Sequence, residues 1–397
     1  MLGAIYVGLS GMDAYSKGLQ SISNNVANLN SPGFKATAVT FSDVYSQGGQ
    51  GLTYTRGGDD QPGGNGVKVA TSAIDFSQGS LQQSGGDLDL AIQGGGFLVL
   101  QDGTGTAYAR TGQFAVGNDG YITLQGGKFH LSVLNAANQA EALNIDSKRT
   151  SKPTATTTIT FADNLSSTAT SDTVSNIKVS DSAGGQHTWQ VAFTATGASA
   201  PGQWQVAVTD DSGVTVGSGT LKFIGGTVDP STAKITVTSA PTGADPLSVV
   251  LDFSTNVSNF SSGTTSTLRA ASVDGNPAGA LTGVTVDSNG HVQLAYSNSK
   301  TADLGAVALA DFRDPQQLTR VAGGLFENHS VTQTRLLASG AQGIGTLVSK
   351  QIEASNVNLS QEFGELILVQ RGFQASSQVV SVANDMIQNL FGIRGQG

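Results

Sequence analysis

"LSQEFGELILVQRGFQASSQVVSVANDMIQNL", residues 359–390, places an apolar residue at every seventh position. Leu359, Leu366, Phe373, Val380 and Ile387 mark the repeat, and Phe363, Val369, Ala383, Leu390 and Phe391 flank it. A seven-residue apolar period is the seam of a helix that packs along its length against another helix. Asn358, with Gln361 three positions on, supplies a cap for its start. The opposite end of the chain answers this pattern. Leu2, Ile5, Leu9, Met12, Leu19, Ile22 and Val26 follow a 3-4-3 spacing in which Ser16 and Ser23 fill two slots. The spacings predict one helix over about residues 3–29 and a second over about 359–391.

The exit of the first helix is rich in amides. "SISNNVANLNSPGFKATAVTF", residues 21–41, holds Asn24, Asn25, Asn28 and Asn30, then Pro32 and Gly33. Asn30, Pro32 and Gly33 suffice to stop a helix. Asn24, Asn25 and Asn28 fall inside it, where Asn is a mediocre former. Their expected use is hydrogen bonding between packed subunits, since an amide both donates and accepts.

Between the helices the pattern is that of strands. "GVKVATSAIDFSQG", "DLDLAIQGGGFLVL", "YARTGQFAVGNDGYITLQGG" and "KITVTSA" alternate apolar and polar residues between Gly, Asn-Asp-Gly and Asp-Gly-Asn turns. From about Ser147 to Ala280 the texture shifts to Thr, Ser and Val with no long helical pattern. The predicted fold is mainly β with paired, coiled-coil-like helical termini, an inner β domain and an inserted outer all-β domain. The expected boundaries are 1–30 with 358–397 for a helical polymerisation domain and 31–70 for a loop-rich connector. They continue with 71–146 plus 281–357 for the inner domain and 147–280 for the outer one.

Composition narrows the function. Of 397 residues 12% are charged, and the net charge is -9, so the clustered Lys and Arg that hold phosphates are lacking and nucleic acid is a poor partner. The absence of cysteine excludes disulfides, thiolate catalysis and zinc-thiolate sites. The first positive side chain is Lys17, so a cleaved secretory signal is not expected. No run reaches the roughly 18–20 apolar residues that span a bilayer, so no membrane insertion is expected and the chain reads as soluble.

Candidate chemistry is thin. His130, His187, His291 and His329 stand far apart and in no metal-ligand or triad motif. Asp87 and Asp89 could chelate a hard cation, but calcium needs about six oxygens from an organised loop. Alternation with Leu88 and Leu90 instead reads as a strand whose acidic side faces water. Gly340 and Gly345 have the outer spacing of a phosphate loop, yet Lys350 comes too late. Gly94 to Gly96 read as a tight bend before the strand Phe97 to Leu100. No catalytic residue, cofactor or metal site is expected.

The helices are the remaining candidates. No other helical segment exists to cover them, and an uncovered apolar stripe marks an interaction site. The residues expected to pack between subunits are Leu2, Ile5, Leu9, Met12, Leu19, Ile22, Asn24, Asn25, Val26, Asn28, Gly33 and Phe34 near the N-terminus. Near the C-terminus they are Leu359, Phe363, Leu366, Val369, Arg371, Phe373, Val380, Ile387 and Leu390.

Three segments carry a resemblance. "LSGMDAYSKGLQSISNNVANLNSPGFK" resembles the opening signature of the rod and hook axial proteins of the bacterial flagellum. "DLDLAIQGGGFLVL" with "YARTGQFAVGNDGYI" resembles the internal motif of that family, and "SNVNLSQEFGELILVQRGFQASSQVVSVANDMIQNL" its closing helix, including Gln370, Arg371, Gly372 and Phe373. The extra β segment points to the hook branch, since rod members are shorter. The resemblance implies a homopolymer, a curved flexible tube joining rod to filament, located outside the cell and exported through a type III apparatus without signal cleavage. It also implies the rod, the hook cap and the hook–filament junction proteins as partners. A distal rod protein, and from another class a surface adhesin, stay open as alternatives. An adhesin would need exposed aromatics, and Trp189 and Trp204 are the only tryptophans.

Overall fold

A computed structural model describes residues 2–45, 64–197, 200–329 and 334–394, with the side chains of 2, 45, 64, 65, 390 and 392–394 outside the description. The chain forms two compact units, one of residues 1–146, 284–293 and 303–397 and one of residues 147–283 and 294–302. Both termini are helical and most of the rest is strand, as the spacing predicts.

In the first unit, helix α1 spans Leu2–Ala27 and helix α2 spans Leu359–Arg394. They pack against each other. The cap of α2 is Asn358, whose side-chain oxygen accepts from the Ser360 and Gln361 amides at 3.1 and 3.4 Å. Gln361 does not close a capping box, because its amide donates to Glu365 one turn on.

Small residues make the contact. A methyl group built on Gly8 would stand 2.6 Å from the Val380 side chain, on Gly11 2.4 Å from Ser376, and on Gly18 3.3 Å from Val369. From the other side, one on Gly372 would stand 2.5 Å from the Tyr15 ring. Numbers fall along α2 as they rise along α1, so the helices are antiparallel. Gly8, Gly11, Ala14, Gly18, Ile22 and Asn25 form the buried face of α1, while Leu9 stays 49% exposed. The 3-4-3 set of large residues therefore is not the intrachain seam. Periodicity of bulk finds the apolar side of a helix, but the line of closest approach needs residues without bulk.

The described parts of the 31–70 stretch, residues 31–45 and 64–70, are mostly paired strand and not the loops expected of a connector. Thr37–Tyr45 (β1) and Gly64–Ile74 (β2) pair antiparallel, with Thr37 opposite Ile74 and Asp43 opposite Val67. The short polar-apolar alternation of TAVTFSDV suits a two-faced strand, and one face lies on α1, where Phe41 meets Tyr15 at 5.3 Å between ring centroids. Gly66, at φ 104°, passes close over Ser10, and the Val67 amide donates to the Ser10 hydroxyl at 3.2 Å. The part of the connector at residues 46–63 lies outside the described residues.

The inner sheet follows. Strands Leu81–Gln83 (β3), Asp89–Gln93 (β4), Phe97–Gln101 (β5), Thr106–Ala109 (β6) and Thr111–Val116 (β7) precede the chain's departure into the second unit. β4 to β7 belong to a twelve-stranded sheet, in which β4 pairs with the late strand Thr346–Ser349. Its core holds Phe97, Val99, Tyr108, Leu318 and Phe326. Asp89 departs from the expected water-facing strand. All of Leu88 to Ile92 is buried, and the Asp89 carboxylate accepts from the Ser84 hydroxyl, while the exposed Asp87 pairs with Lys350 at 2.9 Å. Two-sided burial overrides the alternation.

The second unit holds a ten-stranded sheet. Ser171–Ser180, Gln186–Ala195, Gln203–Thr209 and Thr215–Ile224 pair in chain order as an antiparallel meander. Trp204, Val206 and Val208 alternate inward, toward a core with Phe161 and Phe253 stacked at 4.5 Å. Trp189 and Trp204 are both buried there.

Two helical glycines separate the effects of propensity and packing. Gly364 has open space where a methyl group would go, whereas Gly372 faces the Tyr15 ring. Gly364→Ala is expected to gain about 1 kcal/mol from helix propensity. Gly372→Ala is expected to lose roughly 1–3 kcal/mol from overpacking, against that same gain, for a net loss. Thermal unfolding followed by circular dichroism at a helical wavelength checks the opposite signs.

Candidate assembly interface

The chain leaves α1 through Gly33, which takes φ 70° and whose amide donates to the Glu353 carbonyl at 2.8 Å. This turns Phe34 and Lys35 into the inner β structure. The Lys35 side chain is fully buried, and its ammonium donates to the Glu353 carboxylate at 2.6 Å and to the Ser77 carbonyl at 2.6 Å. The same carboxylate accepts from the Gly79 amide at 2.8 Å and from Arg110 Nε at 3.2 Å. Arg110 also donates to the carbonyls of Ile92, Gly94 and Gly96 around the bend between β4 and β5. Arg320 covers the Phe34 ring at 4.4 Å and donates to the Lys35 carbonyl. Burial pushes the Lys35 pKa down, while the Glu353 hydrogen bond opposes it. These partners make one node from three distant parts of the chain. Reading Pro32 and Gly33 as a helix stop gave no pointer to it.

Asn356 extends the node toward α2. Its oxygen accepts from the Ala36 amide at 2.7 Å, and its nitrogen donates to the carbonyls of Asp75 and Ser77 at 2.8 and 3.1 Å. Asn25 works one step further up. Its side chain forms a two-way bond with the Thr37 main chain at 2.9 and 3.0 Å and donates to Glu362 at 2.9 Å. The Asn25 amide is thus consumed within the chain, joining α1, β1 and α2, and is not the intersubunit bond expected of it. Asn28 follows α1 and also turns to its own chain, donating to the Asn24 carbonyl at 2.9 Å and accepting from Ser31 at 3.0 Å. Burial raises the Glu362 pKa, against the Asn25 hydrogen bond.

The expected packing residues divide. Ile22, Asn25, Gly33, Phe34 and Val369 are buried, and Ile5, Met12, Leu19, Val26, Asn28, Leu366, Val380 and Ile387 are half-buried. Leu9, Asn24, Leu359, Phe363, Arg371 and Phe373 are exposed. The side chains of Leu2 and Leu390 lie outside the described residues. Sequence reasoning missed the small-residue seam, although Gly8, Gly11 and Gly18 carried a signal: glycine inside a helix costs about 1 kcal/mol and asks for a packing reason. It also missed further exposed apolar residues, among them Tyr6, Leu368 and Phe391, the last two 72% and 68% exposed. Exposed apolar side chains on both helices, against a buried small seam, give the pair an inner contact surface and an exposed apolar outer one.

Nothing else in the described residues competes as a site. No group of three metal-ligating side chains occurs among them, and no helix is long and apolar enough to cross a membrane. His187 lies between Asp181 and Asp211, His291 beside Asp303, His329 beside Glu327 and His130 beside Thr123, each in its own place.

Known proteins match this layout. Residues 5–35 match the family profile described as flagella basal body rod protein, 91–163 the flagellar hook protein FlgE/F/G D1 domain, and 348–393 the flagellar basal body rod FlgEFG protein C-terminal. The flagellar hook protein FlgE of Escherichia coli strain K12 is 30% identical over 416 residues, covering 97% of this chain and 98% of its own. The chain belongs to the flagellar hook protein family. Hook proteins of Treponema pallidum and Borreliella burgdorferi are 27% and 28% identical over 99% and 98% of this chain, and 100% and 99% of their own. The fold is similar to that of the Helicobacter pylori hook protein FlgE2, with a TM-score of 0.50 at 13% identity over 69% of this chain and 99% of that one. The chain is accordingly a hook subunit, of a structural family.

Two outcomes follow from the node. Lys35→Ala takes the shortest hydrogen bond from the buried Glu353 carboxylate and leaves Arg110 as its one remaining charged partner, so a loss of about 1–3 kcal/mol is expected in chemical denaturation of the first unit. For Glu362, the folded carboxyl holds its proton to higher pH than the unfolded one, whose value is 4.5. Stability then falls as pH rises from that value through the raised folded one. Glu362→Gln is expected to flatten this slope in denaturation midpoints collected across acidic pH.

Proposed function

We propose that this hook subunit self-assembles into a curved, flexible tube that transmits torque from rod to filament, and that the exposed apolar faces of α1 and α2 hold the copies together. The observation that carries this reading is the outer contact surface of the helix pair. Val379, Val382 and Met386 line a groove of about 470 Å³ beside Ala4. Large apolar side chains on both helices remain in water in one copy, and burial against other copies removes them. The helices act as the polymerisation domain, the sheet of the first unit as the inner domain, and the second unit as the outer domain. Ser, Thr and Gly faces with few charges let β domains slide against their neighbours, because few ion pairs break at each step.

Assembly outside the cell, export through a type III apparatus without signal cleavage, and contacts with rod, hook cap and hook–filament junction proteins belong to the same reading. It includes no catalysis and no cofactor. The adhesin alternative loses its support, since Trp189 and Trp204 both serve the core.

Electron microscopy of purified, assembled protein tests the proposal. Curved tubes with an axial channel are expected, whereas straight tubes would favour a distal rod. Val382→Asp, at an exposed site, is expected to leave the circular dichroism of the subunit intact and to reduce tube formation at least tenfold. Unchanged tube formation would remove the helix surface from the mechanism.

A further inference from the structure

Apart from how copies assemble, we infer that the β1–β2 ribbon is a brace for the helix pair, joined to α1 at its top by Ser10 and to the inner sheet at its base by Gln316, which is a positioning residue. Ribbon and helix match in length. Asn25 binds Thr37, Tyr15 meets Phe41, and Ser10 binds Val67, which lies opposite Asp43. From Asn25 to Ser10 the helix rises about 22 Å, and from Thr37 to Asp43 an extended strand covers about 20 Å. The two therefore run side by side in step.

At the top, close approach makes the joint. The Ser10 hydroxyl accepts from the Val67 amide and donates to the Val7 carbonyl at 2.8 Å, and a methyl group built on Gly66 would collide with that hydroxyl. At the base, Thr37 and Ile74 form the last rung, but their main-chain groups are bonded to side chains outside the ribbon. Asn25 takes those of Thr37. Gln316 takes those of Ile74, accepting from its amide at 3.1 Å and donating to its carbonyl at 2.8 Å. The turn that carries Gln316 is set beforehand. Pro315 fixes the backbone, and the Asp314 carboxylate accepts from the Gln316 amide at 3.1 Å and from the Gln317 side chain at 3.0 Å. The next residues, Leu318–Arg320, enter the inner sheet paired with Leu325–Asn328.

Between the two joints packing is loose. A recess of about 550 Å³ lies between β1 and the helices, lined by Ser21, Thr40 and Glu365 as well as Val39, Phe41 and Leu368. The ribbon steadies α1 through its ends. Asn25 and Asn356 hold the helices where they leave the node, but attachment at one level lets a long helix tilt about it. A second attachment about 22 Å up α1, carried back to the inner sheet through Gln316, resists that tilt.

Gln316 is exposed, so replacing it leaves the core intact. The chain lacks cysteine, so Ser377→Cys on α2 and Ala115→Cys on β7, both at exposed positions, take two spin labels. In the unassembled full chain the distance between the labels is expected to show one narrow distribution. Gln316→Ala at the base and Gly66→Ala at the top are each expected to widen it roughly twofold, and the two together no more than either alone, because a brace cut at one end carries no load at the other. Val99→Ala, which opens a cavity in the core of the same sheet, is expected to lower the denaturation midpoint and leave the width unchanged. Additive widening by the two joint variants, equal widening by Val99→Ala, no widening by Gln316→Ala, or a broad distribution already in the unmodified chain would each overturn the brace. None of these outcomes depends on tube formation, so the homopolymer reading stands or falls separately.

Discussion

One carboxylate ties the first unit together. Glu353, just before α2, accepts from Lys35, just after α1, and from Arg110, in the middle of the inner sheet. All three side chains are buried, so each charge has lost its water and depends on the others and on nearby carbonyls for replacement. Such a cluster is weak ground for net stability, because desolvation offsets most of the attraction. Its strength is in specificity: an arrangement that withdraws Glu353 strands two buried cations, and one that withdraws Lys35 or Arg110 takes a donor from the buried carboxylate. The ends of the chain, more than three hundred residues apart in sequence, can meet the inner sheet in one way only.

The helix pair is then positioned from its base. Gly33 bends the chain at the node, Asn356 binds Ala36, and Asn25 joins both helices to β1 one level higher. Above that level polar ties give way to close approach of glycines, first Gly18 on Val369, then Gly372 under Tyr15, then Gly11 and Gly8 on Ser376 and Val380. A seam of small residues brings backbones together without using large apolar side chains. Those side chains stay available on the outside, which is what a subunit that associates through its helices requires.

The sequence made the outer surface legible and hid the inner one. The heptad of Leu359, Leu366, Phe373, Val380 and Ile387 located α2 and its cap, because bulk repeated at helical spacing is a local signal. The same signal puts Leu9 and Ile22 in one stripe although only Ile22 is buried within the chain, since a hydrophobic period does not distinguish a face packed in the chain from one left exposed. Lys35 was unreadable for a different reason. A lysine after Pro-Gly-Phe looks like a solvated turn, and only the fold brings Glu353 to it from 318 residues away, with Arg110 reaching the same Glu353 across 243. Asn25 was noticed as anomalous in a helix, but its partners Thr37 and Glu362 are likewise products of tertiary structure. In the second unit, alternation announced strands, while the parallel pairing of Thr158–Asn164 with Leu247–Asp252 is non-local and left no trace.

The rigidity of the node constrains how such a polymer can bend. Because Lys35, Glu353 and Asn356 fasten α1 and α2 directly to the inner sheet, the helices cannot swing on a slack connector without uncovering buried charge. Within the first unit, then, motion of the sheet is motion of the helix pair. In the proposed assembly, changes in spacing along a bending tube fall at contacts between copies, for which exposed apolar side chains such as Leu368 and Phe391 are suited. Apolar contacts suit that task, since dispersion and burial fall gradually with displacement, whereas a displaced buried ion pair loses its partner at once. The first unit buries Lys35, Arg110 and Glu353 in one cluster while Leu368 and Phe391 stay exposed on its helix pair, so the part held by buried charge is rigid and the apolar surface is the part free to yield.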